Sequence, residues 1–430
     1  MSKGNKGNTA AIVAMIFLFG MIAFVTNLAA PIGNIWKMDG HIAGSNALGM
    51  LGNMMVFAAY LFMGLPSGAL LKRRGYKFTV LAGIVTGFAG VFIQFLSGCV
   101  ASFPANFVVY LIGAFVSGVA VCLLNTAANP MLTILGGGGN RGNQLIQIAG
   151  TCNSTFGTLT PMLVGLLIGT LTPKTVISDV NVVLFLAMAV FAAAFAIISF
   201  VQIDNPADNG EKSENPLKYR HFFFGFIAIF MYVGVEVGTP GTLNFFLSDS
   251  GVKGAGLDPS IAAKTAGFVA GTYWFLMLVA RILSSFISGK VSSRAQLTAT
   301  AVTAVLFVVA AIFTPSSVTG SMPAFTGSGF EMVTVPLSAI LLALCGLCTS
   351  VMWGGIFNLS VEGLGKYTEQ ASGIFMMMVV GGGIMPLIQD FIAKKLGYMP
   401  SYWLVVAMLC YLLFYALWGC KNVNKDIPVD

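Results

Sequence analysis

Of the fifteen acidic residues in this chain, only Glu236 lies deep within an apolar run, in Tyr232-Val-Gly-Val-Glu236-Val-Gly-Thr-Pro240. On insertion scales a charge at mid-membrane costs about 2.5–3.5 kcal/mol, so an acid placed there is functional by default. Pro240 cannot donate to the carbonyl four residues back, which is that of Glu236 itself. Asn27 and Pro31 repeat the device near the N-terminus, and paired proline-interrupted helices point to a ligand site. Asn125 and Asn129 are four apart and share a helix face. Asn153, Trp353 and Asn358 fall in further apolar runs. Carboxamides both donate and accept hydrogen bonds, and an indole face packs against C–H groups. Asn27, Asn125, Asn129, Asn153, Glu236, Trp353 and Asn358 together suit a neutral, polyhydroxylated ligand, with Glu236 also the candidate for ion coupling. For any one Asn the competing account is an interhelical amide bond worth about 0.6 kcal/mol.

Arg281 is the lone cation within a span, about 12 Å from the inner end of its helix at 1.5 Å per residue. Glu362 is its expected partner, which would make the pair a structural gate contact. Arg73 and Arg74, in a basic turn, join them as gate or structural positions. Gly64/Gly68, Gly83/Gly87 and Gly267/Gly271 have the spacing of close helix packing. Cys345 and Cys348 form C-x-x-C without a second pair or a histidine cluster, so no metal site is expected. Nothing at depth resembles a nucleophile with its base, and the chain is not expected to be an enzyme.

These residues need apolar helices to hold them, and the composition supplies little else. The 430 residues are 57% hydrophobic and 9% charged, against roughly 25% charged for a soluble domain. With a mean hydropathy of +0.88, the chain reads as an all-α polytopic membrane protein embedded in a lipid bilayer. Soluble enzymes, nucleic-acid binders and secreted disulfide scaffolds are excluded. Apolar runs predict twelve transmembrane helices, at 10–35, 46–71, 78–98, 104–135, 143–171, 181–203, 221–248, 261–289, 295–314, 333–363, 367–393 and 400–420. Lys and Arg divide fifteen to six between the two sides, which predicts both termini in the cytoplasm. The polar stretch from Asp204 to Arg220 reads as a cytoplasmic linker, giving six-helix halves at 1–203 and 221–430. The Ser-, Thr-, Gly- and Pro-rich run from Thr314 to Glu331 reads as an outer loop.

The halves carry signs of duplication. Basic turns at Lys72–Lys77 and Lys290–Arg294 occupy equivalent places. An offset of 229 residues sets Asn129 on Asn358 and Leu135-Gly136 on Leu364-Gly365. Pro161 and Pro386 lie late in helices 5 and 11. Two six-helix halves around a central site are the major facilitator architecture.

Leu124-Asn125-Thr126-Ala127-Ala128-Asn129-Pro130, ending in Leu135-Gly136, resembles the fourth-helix signature of the fucose permease and glucose/galactose transporter family. Ala149–Ser154, Tyr232–Val237, Ile356–Leu359 and Gly381–Ile384 match as well, and the likeness runs from helix 1 to helix 11. It implies uptake of a hexose or 6-deoxyhexose across a bacterial inner membrane, by cation-coupled symport. Asn153 and Trp353 fall where family members place an amide and an aromatic for sugar contact. Fucose permease-like members have acids where this chain has Asn27 and Asn125, and neither of these titrates. Glucose/galactose-type members often carry a Glu at the place of Glu236, which could couple H+, help bind Na+, or hydrogen-bond the sugar. No cofactor beyond such an ion is expected, and the working unit is a monomer. The alternatives are a carrier of another small solute or drug, a facilitated-diffusion uniporter, and a membrane scaffold or sensor.

Overall fold

The computed structural model describes residues 4–36, 41–42, 46–100, 102–168, 176–203, 215–249, 251 and 253–422. Helix α1 spans Gly4–Trp36. A continuous run, Asn46–Ser97, is two rods that meet at Gly75, whose φ of 78° lies where only glycine is at ease. These are α2 (46–74) and α3 (76–97). Then follow α4 (Ala105–Leu135), α5 (Gly139–Ile168) and α6 (Asn181–Phe200). After the segment 204–214, which lies outside the described residues and holds most of the expected linker, come α7 (Arg220–Ser248), α8 (Pro259–Ile287) and α9 (Ser293–Phe313). The last three rods are α10 (Leu337–Val361), α11 (Thr368–Leu396) and α12 (Tyr398–Gly419).

Ten helices among the described residues are long and apolar enough to cross a bilayer, the 47-residue Leu51–Ser97 run counting as one. The rod α5, a further helix of 30 residues, stands outside that ten. With it, and with the Gly75 break, the rods come to twelve at the positions read from the sequence. Capping sets the ends where the chain leaves the bundle. The Asp258 carboxylate accepts from the Ser260 amide ahead of α8, with Pro259 at the first helical position. Hydrogen bonds from the Ser260 hydroxyl and amide hold that carboxyl below the usual range. Ser292 caps α9 by accepting from the Ala295 amide.

Three expectations need correction. The Thr314–Glu331 run is not a plain loop, and α10 does not begin at 333. Strands β1 (Thr319–Phe325) and β2 (Phe330–Pro336) pair antiparallel, from Thr319 opposite Pro336 to Phe325 opposite Phe330. Met322, Ala324, Val333 and Val335 are buried and alternate with exposed neighbours, the period-two pattern of a half-buried strand. Second, α7 runs unbroken through Pro240; the helix loses a hydrogen bond there but does not interrupt. Interruptions fall instead in α10, whose segments Leu337–Thr349 and Met352–Val361 are separated at Ser350 and Val351, and in α11, where a 3-10 turn at Met378–Val380 separates Thr368–Met377 from Gly381–Leu396. Third, Gly267 and Gly271 are not packing contacts. A Cβ at Gly267 would meet nothing within 4 Å, and both glycines line a cavity.

The earlier and later rods meet closely at the end of the bundle that carries the basic turns. Gly64 and Gly68 of α2 lie against Gly373 of α11, where a Cβ at Gly68 would sit 3.0 Å from the Gly373 Cα. The Ser372 hydroxyl donates to the Thr126 carbonyl at 2.9 Å, and Gln144 donates to the Ser285 carbonyl at 3.0 Å. Arg73 and Arg74 are exposed at the turn, and the Arg74 guanidinium lies 5.4 Å from the Phe78 ring centre.

Candidate functional site

A cavity of about 860 Å³ opens between the earlier and later rods. From α1 it is lined by Phe19, Ile22, Ala23, Thr26 and Asn27, and from α5 by Ile146, Gln147, Gly150, Asn153, Ser154, Gly157 and Thr158. Both sets recur every three or four residues, one face of each helix. The polar face of α5 thus belongs to the cavity. Asn125, Glu236, Arg281 and Trp353 complete the polar lining, while Phe57, Phe268, Trp274 and Met277 give it apolar walls.

Of the seven residues read from the sequence as ligand contacts, Asn27, Asn125, Asn153, Glu236 and Trp353 line this one cavity. Asn129 and Asn358 do not. Asn129 is fully buried one turn below Asn125 and donates to its carbonyl at 2.8 Å. Its Oδ1 accepts from the Trp353 indole at 3.1 Å, so it positions the ring. Asn358 donates to the Ser293 hydroxyl at 3.1 Å and faces a separate hollow of about 230 Å³ beside Gly137–Gly139. The pseudo-equivalence of Asn129 and Asn358 thus holds in sequence but not in surroundings.

The expected pairing of Arg281 with Glu362 is also wrong. Glu362 is exposed at the end of α10. Arg281 Nη2 lies 3.4 Å from Glu236 Oε1, with the two side chains only 9% and 16% exposed. A buried cation takes the nearest acid, and Glu236 sits on the adjacent helix at similar depth. The guanidinium is held on its other edges by the Ser350 carbonyl at 3.1 Å, the Ser154 hydroxyl at 2.7 Å and the Gly150 carbonyl at 3.3 Å. One of these acceptors is a carbonyl exposed by the α10 break. The neighbouring one, on Val351, accepts from Gln147 at 3.0 Å. The Gln147 contact joins an earlier rod to a later one, as do the Arg281 contacts to Gly150 and Ser154. Glu236 Oε1 also accepts from the Tyr232 hydroxyl at 2.7 Å, and the Tyr232 ring meets the Trp353 ring edge-on at 6.3 Å.

The cavity amides share one arrangement. Asn27 donates to the Ala23 carbonyl at 2.8 Å, Asn153 to the Phe19 carbonyl at 2.9 Å and Asn125 to the Tyr60 hydroxyl at 2.8 Å. Each nitrogen keeps a second N–H, and the Asn125 oxygen already accepts from Asn129 at 3.4 Å, so the amides can both donate to and accept from a ligand's hydroxyls. Sequence reasoning missed Gln147, Ser154, Tyr60 and Tyr232. The Gln147/Gly150/Ser154/Thr158 stripe carried a usable signal for two of them, since polar residues at helical spacing in an otherwise apolar rod have to face something wet. The α10 break left no such signal.

Apolar rods around a largely apolar central cavity, which holds carboxamides and one ion pair and is blocked at one end, define an integral, multi-pass membrane protein. Residues 10–386 match the Major Facilitator Superfamily. A glucose/galactose transporter of Brucella abortus biovar 1 (strain 9-941) is 30% identical over 426 residues, 96% of this chain and 94% of that protein. The L-fucose-proton symporter of Escherichia coli (strain K12) is 24% identical over 401 residues, 84% of this chain and 81% of that protein. The crystal structure of a major facilitator transporter, FucP, in the outward conformation superposes with a TM-score of 0.73 at 17% identity, covering 94% of this chain and 98% of that one, which shows the shared fold. The chain belongs to the major facilitator superfamily and, within it, to the fucose permease and glucose/galactose transporter family. That superfamily consists of transporters, not enzymes.

Proposed function

We propose that this protein carries a monosaccharide, a hexose or 6-deoxyhexose, by alternating access between the halves 1–203 and 221–430 joined by the linker 204–220. The observation that carries the reading is the cavity itself. The carboxamides of Asn27, Asn53, Asn125, Gln147 and Asn153, the indoles of Trp274 and Trp353 and one carboxylate line it, and the only charges among its described lining residues, Glu236 and Arg281, are already paired. Such a lining rewards hydroxyls over ions. The sugar relatives support the same cargo. The rods touch at the basic end, which positive-inside orientation sets in the cytoplasm with both termini; the cavity then faces outward, from a bacterial inner membrane, in a monomer.

Coupling is assigned to Glu236. It is the acid in the cavity lining, and its bond to Arg281 ties its charge to a side chain that also grips Gly150 and Ser154 across the halves. An ion bound at Glu236 would loosen Arg281, and with it the contact between halves. A uniporter is the second reading, favoured by the fact that Tyr232 and Arg281 already satisfy Glu236. Uptake of labelled monosaccharides into proteoliposomes, with pH and Na+ gradients imposed separately, tests both. No uptake or counterflow of any monosaccharide would sink the sugar reading; counterflow without accumulation under either gradient would establish the uniporter.

A further inference from the structure

The hairpin β1–β2 is inserted between α9 and α10, in a connection running from 314 to 336, whereas α3 and α4 are joined by 98–104 alone. A two-stranded hairpin is marginal in water without support. Here every described tie runs to the later rods. The Phe325 amide donates to the Thr272 hydroxyl of α8 at 2.7 Å. The Phe325 ring stacks on Phe275 at 4.7 Å with planes 18° apart, and Phe330 meets Phe275 edge-on at 5.3 Å. Lys264 of α8 bridges to Glu331 at 3.0 Å. At the base the Leu337 amide closes onto the Val318 carbonyl at 2.8 Å.

The tip is what links the hairpin to function. Residues Phe325, Thr326, Gly327 and Ser328 line the same cavity as Glu236 and the carboxamides. The turn is tight, with the Thr326 amide on the Gly329 carbonyl at 3.0 Å and Gly327 at a φ of 96°. The tip lies in van der Waals reach of α8: a Cβ at Gly271 would lie 3.5 Å from the Phe325 carbonyl oxygen. Nine residues separate Thr272 from Arg281, so the tip stands about 14 Å along α8 from the ion pair. Asn27, Asn53 and Val56 line the cavity from the earlier rods, toward the ends of α1 and α2 away from the basic turns.

We propose that the hairpin tip is the outer wall of the sugar site: a lip fixed to α8 that offers the Ser328 hydroxyl to the sugar, the Thr326 hydroxyl already donating to the Gly329 carbonyl at 3.2 Å, and that closes against Asn53 and Val56 once the sugar is bound. This rests on the sugar-carrier reading. Because the lip is bound to the later rods, closure needs no folding of the hairpin. It needs only the rotation that separates the basic ends.

The test is thiol labelling of Ser328→Cys in a protein whose seven native cysteines are replaced, since Cys99 and Cys410 are exposed. The probe is a membrane-impermeant methanethiosulfonate, and the ligand is whichever monosaccharide exchanges by counterflow in the same preparation. Labelling is expected to slow at least fivefold at saturating sugar, while Met332→Cys, on the exposed side of β2 at 65% exposure, reacts at an unchanged rate. If Ser328→Cys reacts equally with and without a sugar that does exchange, the inference falls and the carrier reading stands. If no monosaccharide exchanges, both fall. Should Ser328→Cys not be recovered folded, Thr272→Val provides the second measurement. It removes the tip's hydrogen bond to α8, and the counterflow KM should rise about tenfold with thermal stability unchanged; an unaltered KM overturns the proposal.

Discussion

Glu236→Gln separates coupling from binding, and the structure sets its size. The substitution keeps the shape of the side chain, and Tyr232 can still donate to the remaining carbonyl-type oxygen. Arg281 keeps three of its four partners: the Ser350 and Gly150 carbonyls and the Ser154 hydroxyl. The loss is therefore one long charge-assisted contact of 3.4 Å, which falls short of leaving a charge buried and alone, a cost of about 3–5 kcal/mol. A hydrogen bond to a charged group is worth about 1.5–3 kcal/mol. If that energy served sugar affinity, KM would rise roughly 10- to 150-fold, at 1.4 kcal/mol per decade. If it serves coupling, counterflow should stay within about threefold of the native rate, while accumulation driven by an imposed gradient falls to simple equilibration. Parallel counterflow and gradient-driven uptake in proteoliposomes, on protein shown to be folded by its melting temperature, tell these apart. Equal loss in the two assays would refute the coupling argument and leave Glu236 as a binding residue.

Trp353→Ala should raise the counterflow KM at least tenfold, whereas Trp353→Phe, which keeps a ring and loses the bond to Asn129, should cost about 1 kcal/mol, roughly fivefold. Gln147→Leu removes the bridge from α5 to the Val351 carbonyl, which keeps only the Gly355 amide at 3.2 Å; turnover should fall about tenfold with a lowered melting temperature, and an unchanged rate would show that α10 needs no such brace. Gly64→Leu places atoms against Met377 and Gly373 where α2 and α11 touch. Overpacking of this kind costs about 1–3 kcal/mol, so exchange should be lost while Gly267→Ala, facing open space, is expressed and stable.

The sequence by itself determined the class, the number of rods and their order, because burial in lipid forces long apolar runs that any reader of hydropathy can count. It also determined that Asn27, Asn125, Asn153, Glu236 and Trp353 needed a reason to lie at depth, and all five share one cavity. Tertiary structure decided the rest. Glu236 and Arg281 are 45 positions apart, and Glu362 was as good a partner on paper; only the side-by-side placement of α7 and α8 selects Glu236. Asn129 and Asn358 have the same residue type and pseudo-equivalent places, yet packing turns one onto an indole and the other onto a serine. The break at Ser350–Val351 has no proline to announce it, since its carbonyls are taken up by Arg281 and Gln147 from elsewhere in the chain. The hairpin did leave a trace, in the alternation of Met322 and Ala324 and of Val333 and Val335. Its tip belongs to the cavity only because Thr272 and Phe275 of α8 hold it there.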